Sequence, residues 1–187
     1  LGISGNSNRA LQAAKGAYVA LLDHDDVLTE DALYWVVDAL QRERYDVVYS
    51  DEDRMAENGS HYLEPRFKPE FDIDLLRAYN YISHLFVARR ELMLADGGFH
   101  SQYDGAQGYD MILRCCEGNR EICHIPRVLY HKRIHDGTSS EREAKHAQEN
   151  LAGKEALEAH VSREHLLARV MMTDQRSVYT VKYDTPG

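Results

Sequence analysis

Three stretches of the chain place aspartates two residues apart: Asp23-His24-Asp25, Asp51-Glu52-Asp53 and Asp72-Ile73-Asp74. Carboxylates packed together repel one another unless a cation sits among them. A small set of carboxylate oxygens suits Mg²⁺ or Mn²⁺, which keep positions for water or phosphate. What separates the three stretches is what precedes them. Asp23 follows the apolar run Tyr18-Val19-Ala20-Leu21-Leu22, which reads as a strand buried on both faces. Open α/β sheets bind ligands at the carboxyl ends of such strands. Residues two apart in an extended segment point the same way, so Asp23 and Asp25 are expected to converge, with Asp26 packed beside them. Asp51-Glu52-Asp53 also ends a strand, but consecutive acids alternate faces, and a solvated loop is the expectation there. Asp72 is read as a helix cap. Cys115, Cys116 and Cys123 form neither a CxxC zinc pair nor a disulfide framework and are read as reduced thiols partly buried in a core.

The elements that must position Asp23 alternate. A helix ends at Gly16 and the strand of residues 18–22 follows. Next comes a helix with Thr29 as its cap and Leu33, Val36, Val37 and Leu40 at i, i+3, i+4, i+7 as one buried face. Residues 47–50 read as the next strand. Alternation of this kind predicts an α/β layered fold with neighbouring parallel strands. Farther on, the pattern predicts helices over 72–78, 90–95, 109–116 and 141–158. Strands are expected over 82–87, 122–125, 128–130 and 178–183. Ala147, Leu151 and Leu157 form the expected inner edge of the long polar helix.

Composition narrows the function. The 187 residues carry 22 Lys and Arg against 31 Asp and Glu, a net charge of −9, which excludes a general nucleic-acid binder. With 43% hydrophobic and 28% charged residues, a packed core is expected rather than disorder. No stretch approaches the roughly 18 apolar residues that span a bilayer. The chain lacks an initiator Met and a signal-peptide pattern, and is expected to be a piece of a longer protein.

Several ordered blocks carry a family resemblance. They are Gly2-Ile3-Ser4-Gly5-Asn6-Ser7-Asn8, residues 13–26 through Asp23-His24-Asp25-Asp26, Asn80-Tyr81-Ile82-Ser83-His84-Leu85, Gly97-Gly98-Phe99, Gln107-Gly108-Tyr109-Asp110, and residues 124–135 from His124 to His135. Together they resemble glycosyltransferase family 2, of the GT-A fold, and most closely bacterial O-antigen and related polysaccharide-assembly transferases. The resemblance implies an α/β, GT-A-like (Rossmann-like) fold, its mostly parallel sheet flanked by helices and lacking its first βαβ unit. Residues 1–140 would be a partial GT-A domain, and 141–187 a C-terminal helix and strand or linker toward a further module. It implies transfer of a sugar from a nucleotide-diphosphate donor to a glycan or lipid-linked acceptor, with inversion, in O-antigen-like cell-surface polysaccharide biosynthesis.

On this chain's residues, the resemblance implies that Asp23 and Asp25 hold Mn²⁺ or Mg²⁺ on the donor diphosphate. His135 would join them, with His131 as the weaker alternative, and Lys132 and Arg133 would compensate charge. Asn8, Asp23, His84, Asp104 and Gln107 would contact substrate. The family's usual catalytic base falls on Gly108, which leaves Asp110 as the expected catalytic carboxylate. The parent is expected to be cytoplasmic, peripheral at the inner face of the membrane. A sheet edge left open is expected to favour self-association. Two other readings stand beside this one: a degenerate, non-catalytic module that binds glycan or scaffolds a complex, and a nucleotidyltransferase or phosphohydrolase. The donor sugar, nucleotide and acceptor are not legible.

Overall fold

The computed structural model describes residues 2–95, 97–134 and 139–184, with backbone alone over 139–145. His135 and the tail after residue 184 lie outside the described residues. In chain order the elements are α1 (Gly2–Ala13), β1 (Tyr18–Leu21), β2 (Val27–Leu28), α2 (Ala32–Arg42), β3 (Val47–Met55), β4 (Tyr62–Arg66), α3 (Ile73–Ala78), β5 (Phe86–Arg89) and α4 (Arg90–Ala95). A 3-10 turn (Ser101–Tyr103) follows, then α5 (Gln107–Cys115), β6 (Ile122–Arg133), α6 (Ser139–Arg163), β7 (Ala168–Met172) and β8 (Tyr179–Tyr183).

Six strands form one sheet in the order β1-β5-β3-β6-β2, with β4 beside β3, and β7 and β8 form a separate hairpin. The expectation of a mostly parallel sheet is corrected. One ladder, β3 with β6, is parallel. β5 runs antiparallel to both β1 and β3 because it enters between them from the opposite end, and β2 is a two-residue antiparallel return on β6. β1, β3 and β6 nevertheless point the same way, so their carboxyl ends meet at one end of the sheet.

Strand alternation divides the core. Val47 and Tyr49 pack on one face with Phe86, Met111, Ile112 and Leu113, while Val48 packs on the other with Val87, Leu129 and the residues of α2. α2 differs from its expected face. Ala32, Val36 and Ala39 are buried, while Leu33 and Val37 are 64% and 51% exposed. The two alanines let the helix sit close on the sheet. Asp31, not Thr29, precedes the first helical residue. Asp72 caps α3 as expected, its carboxylate accepting from the amides of Asp74 and Leu75 at 2.8 and 2.9 Å.

β3 continues past Ser50, so Asp51, Glu52 and Asp53 lie in a strand and are buried, against the expected solvated loop. The expected strands 122–125 and 128–130 are one strand. Its pairing with β3 jumps from Ser50↔Ile125 to Asp51↔Val128, a bulge that absorbs Pro126, which has no N–H for the ladder. On α6 the inner edge is Ala152, Ala156, Leu157, His160 and Val161, while Leu151 is exposed. Leu157, Val161, Val170 and Tyr179 belong to the same apolar cluster as Tyr49 and Phe86, so α6 and the β7–β8 hairpin share the sheet's core. No helix among the described residues is long and apolar enough to cross a membrane.

Candidate active site

β1 stops at Leu21 and the chain then turns, the Asp26 amide donating to the Asp23 carbonyl at 3.2 Å. A turn thus replaces the extended run assumed from the sequence, and the acid that converges with Asp23 is Asp26. β6 grips this turn. The Tyr130 hydroxyl donates to Asp26 Oδ2 at 2.6 Å and accepts from the Asp23 amide at 3.2 Å. The Arg133 amide donates to Asp26 Oδ1 at 2.8 Å, and Arg133 Nε donates to the Asp25 carbonyl at 2.7 Å. His84 stacks on Tyr130 with ring centres 4.7 Å apart, and its Nε2 lies 3.4 Å from Asp23 Oδ2. One ligand atom from each of Asp23, Asp26 and His84 lies within 4.8 Å of the others, the one such group among the described residues.

Behind His84 stands a second ion pair. Glu52 Oε2 is 3.6 Å from His84 Nδ1 and 3.3 Å from Lys68 Nζ, which also donates to the carbonyls of Ile82 and His84. Burial alone raises the Glu52 pKa, but His84 and Lys68 override it and hold the carboxyl at about 2. Burial pushes Lys68 down to about 8 against the pull of Glu52, leaving it mostly cationic at neutral pH. The hydrogen bond from His84 lowers Asp23. Burial opposes charge on His84, and Asp23 and Glu52 outweigh it, raising its pKa above the ordinary imidazole value.

Asp23, Glu52 and His84 open onto a cleft of about 1480 Å³ at the carboxyl ends of the strands, lined also by Asp25, Arg54, Arg66, Gln107, Lys132 and Arg133, with Asp26 and Lys68 behind its lining. Of the substrate contacts expected from the sequence, Asp23, His84 and Gln107 face it. Asn8 does not: its amide exchanges two hydrogen bonds with the Phe99 backbone, at 2.7 and 2.8 Å. Asp104 is taken by the Ser4 amide and hydroxyl. Asp110 is fully buried, accepting from Arg114 Nε and Nη2 at 3.1 and 2.7 Å, and lies outside the cleft lining. Gly108 does line the cleft, and a Cβ there would meet nothing within 4 Å. His131 pairs with Asp53 at 2.6 Å beneath Tyr62, away from the acid turn. The sequence reading missed the roles of Glu52, Lys68 and Tyr130. The signal for Glu52 and Tyr130 was their shared place across the parallel ladder, while Lys68 carried none.

A mixed α/β sheet with an acid turn at a strand end is the arrangement of GT-A glycosyltransferases. Residues 1–95 match the family model "Glycosyl transferase family 2", and the chain belongs to that family. It is 43% identical over 160 residues to uncharacterized protein y4gI of Sinorhizobium fredii, a match covering 84% of this chain and 18% of that protein. It is 36% identical over 183 residues to O-antigen biosynthesis protein RfbC of Myxococcus xanthus, covering 97% of this chain and 14% of that protein. In fold it is similar to S. aureus TarS 1-349 in complex with UDP-GlcNAc, with a TM-score of 0.57 at 19% identity over 81% of this chain and 46% of that chain. The chain spans less than a fifth of the length of the two curated relatives.

Proposed function

We propose that the chain belongs to the working domain of a transferase that moves a sugar from a nucleotide-diphosphate donor to a hydroxyl of a glycan or lipid-linked acceptor. The product would be a cell-surface polysaccharide of O-antigen type, made on the cytoplasmic side and close to the membrane. The observation that carries this reading is the grouping of Asp23, Asp26 and His84 past the end of β1, where Asp23 and His84 line a cleft that also holds Arg54, Arg66, Lys132 and Arg133. Arg54 and Arg66 pair with Glu64 and Glu52, while Lys132 and Arg133 stand beside the acid turn, where an anion would meet them. The names of RfbC and of the UDP-GlcNAc complex of TarS support it.

In the transfer, the acceptor oxygen bonds to the anomeric carbon as the bond from that carbon to the diphosphate oxygen breaks. The diphosphate leaves with the electron pair, the acceptor proton passes to a base, and direct displacement inverts the centre. The sugar becomes oxocarbenium-like on the way. Lys132 and Arg133 meet the charge growing on the diphosphate. The donor set of two carboxylates and an imidazole fits Mn²⁺ or Mg²⁺, and Asp25 adds a carboxylate from the same turn. An ion held there supplies neutralisation of the leaving diphosphate.

UDP calorimetry tests the reading: Mn²⁺ is expected to tighten binding about tenfold, or about 1.4 kcal/mol, and Asp23→Asn to remove that gain. UDP affinity indifferent to Mn²⁺ sinks the metal role. A second reading, a glycan-binding module without turnover, is favoured by Gly108 and by the burial of Asp110 against Arg114. Release of UDP from a panel of UDP-sugars by the full-length protein removes it.

A further inference from the structure

The cleft has a second polar wall, and it comes from α6 and the β7–β8 hairpin, beyond the residues that match the family model. Arg176, in the hairpin turn, donates from Nη2 to Glu149 Oε2 at 2.8 Å. Its Nη1 lies 2.8 Å from His146 Nε2, and His146 Nδ1 lies 3.0 Å from the same Glu149 oxygen. Because an arginine N–H can only donate, Nε2 accepts and Nδ1 carries the proton toward Glu149. The Ser177 amide donates to Asn150 Oδ1 at 2.9 Å and ties the turn to α6. Gly105, at φ +101°, lets the loop before α5 press on this wall: a Cβ there would stand 3.1 Å from Glu149 Cγ.

The wall connects with the acid turn through residues 79–84. Tyr79 bridges to Val178, Asn80 Oδ1 accepts from the Ser83 amide at 3.1 Å, and Ser83 Oγ lies 2.9 Å from His84 Nδ1. Arg176 and Glu149 therefore line the same cleft as Asp23, reached from another side.

An arginine side chain 54% exposed ordinarily samples many rotamers, but this one is held by two partners. A fixed guanidinium fork retains N–H groups beyond the two given to Glu149 and His146, and these are donors for sugar hydroxyls, with Glu149 setting where they stand. Holding them in advance lowers the cost of binding a polyhydroxylated ligand. The diphosphate has its own cations at the acid turn. We propose that Arg176 and Glu149 form the subsite for the acceptor saccharide, and that the β7–β8 turn sets acceptor specificity. The assignment of this saccharide as acceptor rests on the transferase reading, whereas the sugar site itself does not.

The test uses the full-length protein with UDP and Mn²⁺. Saturation-transfer NMR is run with four probes: methyl β-glucoside, methyl N-acetyl-β-glucosaminide, methyl α-rhamnoside and methyl β-glucuronide. At least one is expected to saturate, and its signal to fall about fivefold or more in Arg176→Ala and Glu149→Gln, with partial recovery in Arg176→Lys. Arg169→Ala removes an exposed ion pair of the same hairpin, with Asp184, outside the cleft lining, and is expected to keep the signal within about twofold. No saturation in the native protein overturns the subsite, as does signal retained in both fork variants or lost equally in Arg169→Ala. UDP binding is read separately by calorimetry. Arg176-dependent saturation without UDP binding removes the donor reading and upholds the sugar site. UDP binding with Arg176-independent saturation does the reverse.

Discussion

Tyr130 is the residue on which the acid turn leans most. Its hydroxyl serves two of the turn's groups, Asp26 Oδ2 and the Asp23 amide, and its ring backs His84. Tyr130→Phe keeps the ring and removes the hydroxyl. The expected result is a stability loss of about 1 kcal/mol and Mn²⁺-dependent UDP binding weakened about tenfold, read by chemical denaturation and calorimetry. Binding left intact with stability reduced would mean that the turn needs no support from β6. Asp23 could be picked from the sequence because an apolar run ending in acid is a local pattern, although that run is a partly exposed edge strand and not buried on both faces, whereas His84 came only with the family resemblance. Asp26 could not be preferred over Asp25, because the partners that shape the turn, Tyr130 and Arg133, lie more than 100 residues away. Glu52 was misread for a related reason. A run of acids looks solvated until Lys68, His84, His124 and His131 are brought against it by the sheet. The cysteines were legible locally: Cys115 and Cys116 are buried, Cys123 is partly so, and none of the three forms a disulfide.

Among the elements, α6 carries the second cleft wall, so what fastens it matters. Glu117, just past α5, accepts from Arg163 Nη2 at 2.6 Å and from His160 Nδ1 at 2.8 Å. Arg77 Nε donates to His160 Nε2 at 3.1 Å, which fixes the ring's proton on Nδ1 and links α3 to the same anchor. Burial alone raises the Glu117 pKa, but His160 and Arg163 outweigh it and hold the carboxyl below its ordinary value of 4.5. A carboxyl depressed on folding contributes stability above its unfolded pKa and loses it as pH falls through the folded value. Glu117→Gln is thus expected to cost about 1–3 kcal/mol at pH 7 and progressively less below about pH 4.5. Urea unfolding of both proteins from pH 7 to pH 3 checks it, and a difference that stays constant would refute the anchor. Elements with local signals were legible, the cap of α3 above all. β4 was not, because all five of its residues are exposed and no alternation marks it. The reversed direction of β5 was equally hidden, since apolar periodicity predicts a strand but never which neighbour it pairs with.

For the molecule as a whole, the sheet's two ends differ. β2 closes one end with two residues, too short to template another strand, while β1 presents four residues at the other with no neighbour on its outer side among the described residues. Leu22, directly after β1, is 51% exposed. Backbone groups of the edge and this apolar side chain favour pairing of two copies, while a net charge of −9 on each opposes it. Salt decides between them. At an ionic strength of about 0.01 M the screening length is about 30 Å and repulsion acts across the whole interface, whereas at about 1 M it falls to about 3 Å and the edge is left to act. The 187-residue chain is therefore expected to sediment as a monomer at low salt and to associate, in a concentration-dependent way, at high salt. Ala20→Glu places a charge on the exposed middle of β1 and is expected to suppress that association. A monomer at every salt and concentration would mean that β1 is already protected, whereas association untouched by Ala20→Glu would move the contact elsewhere, with the exposed Leu33, Tyr34 and Val37 of α2 as the surface then implicated.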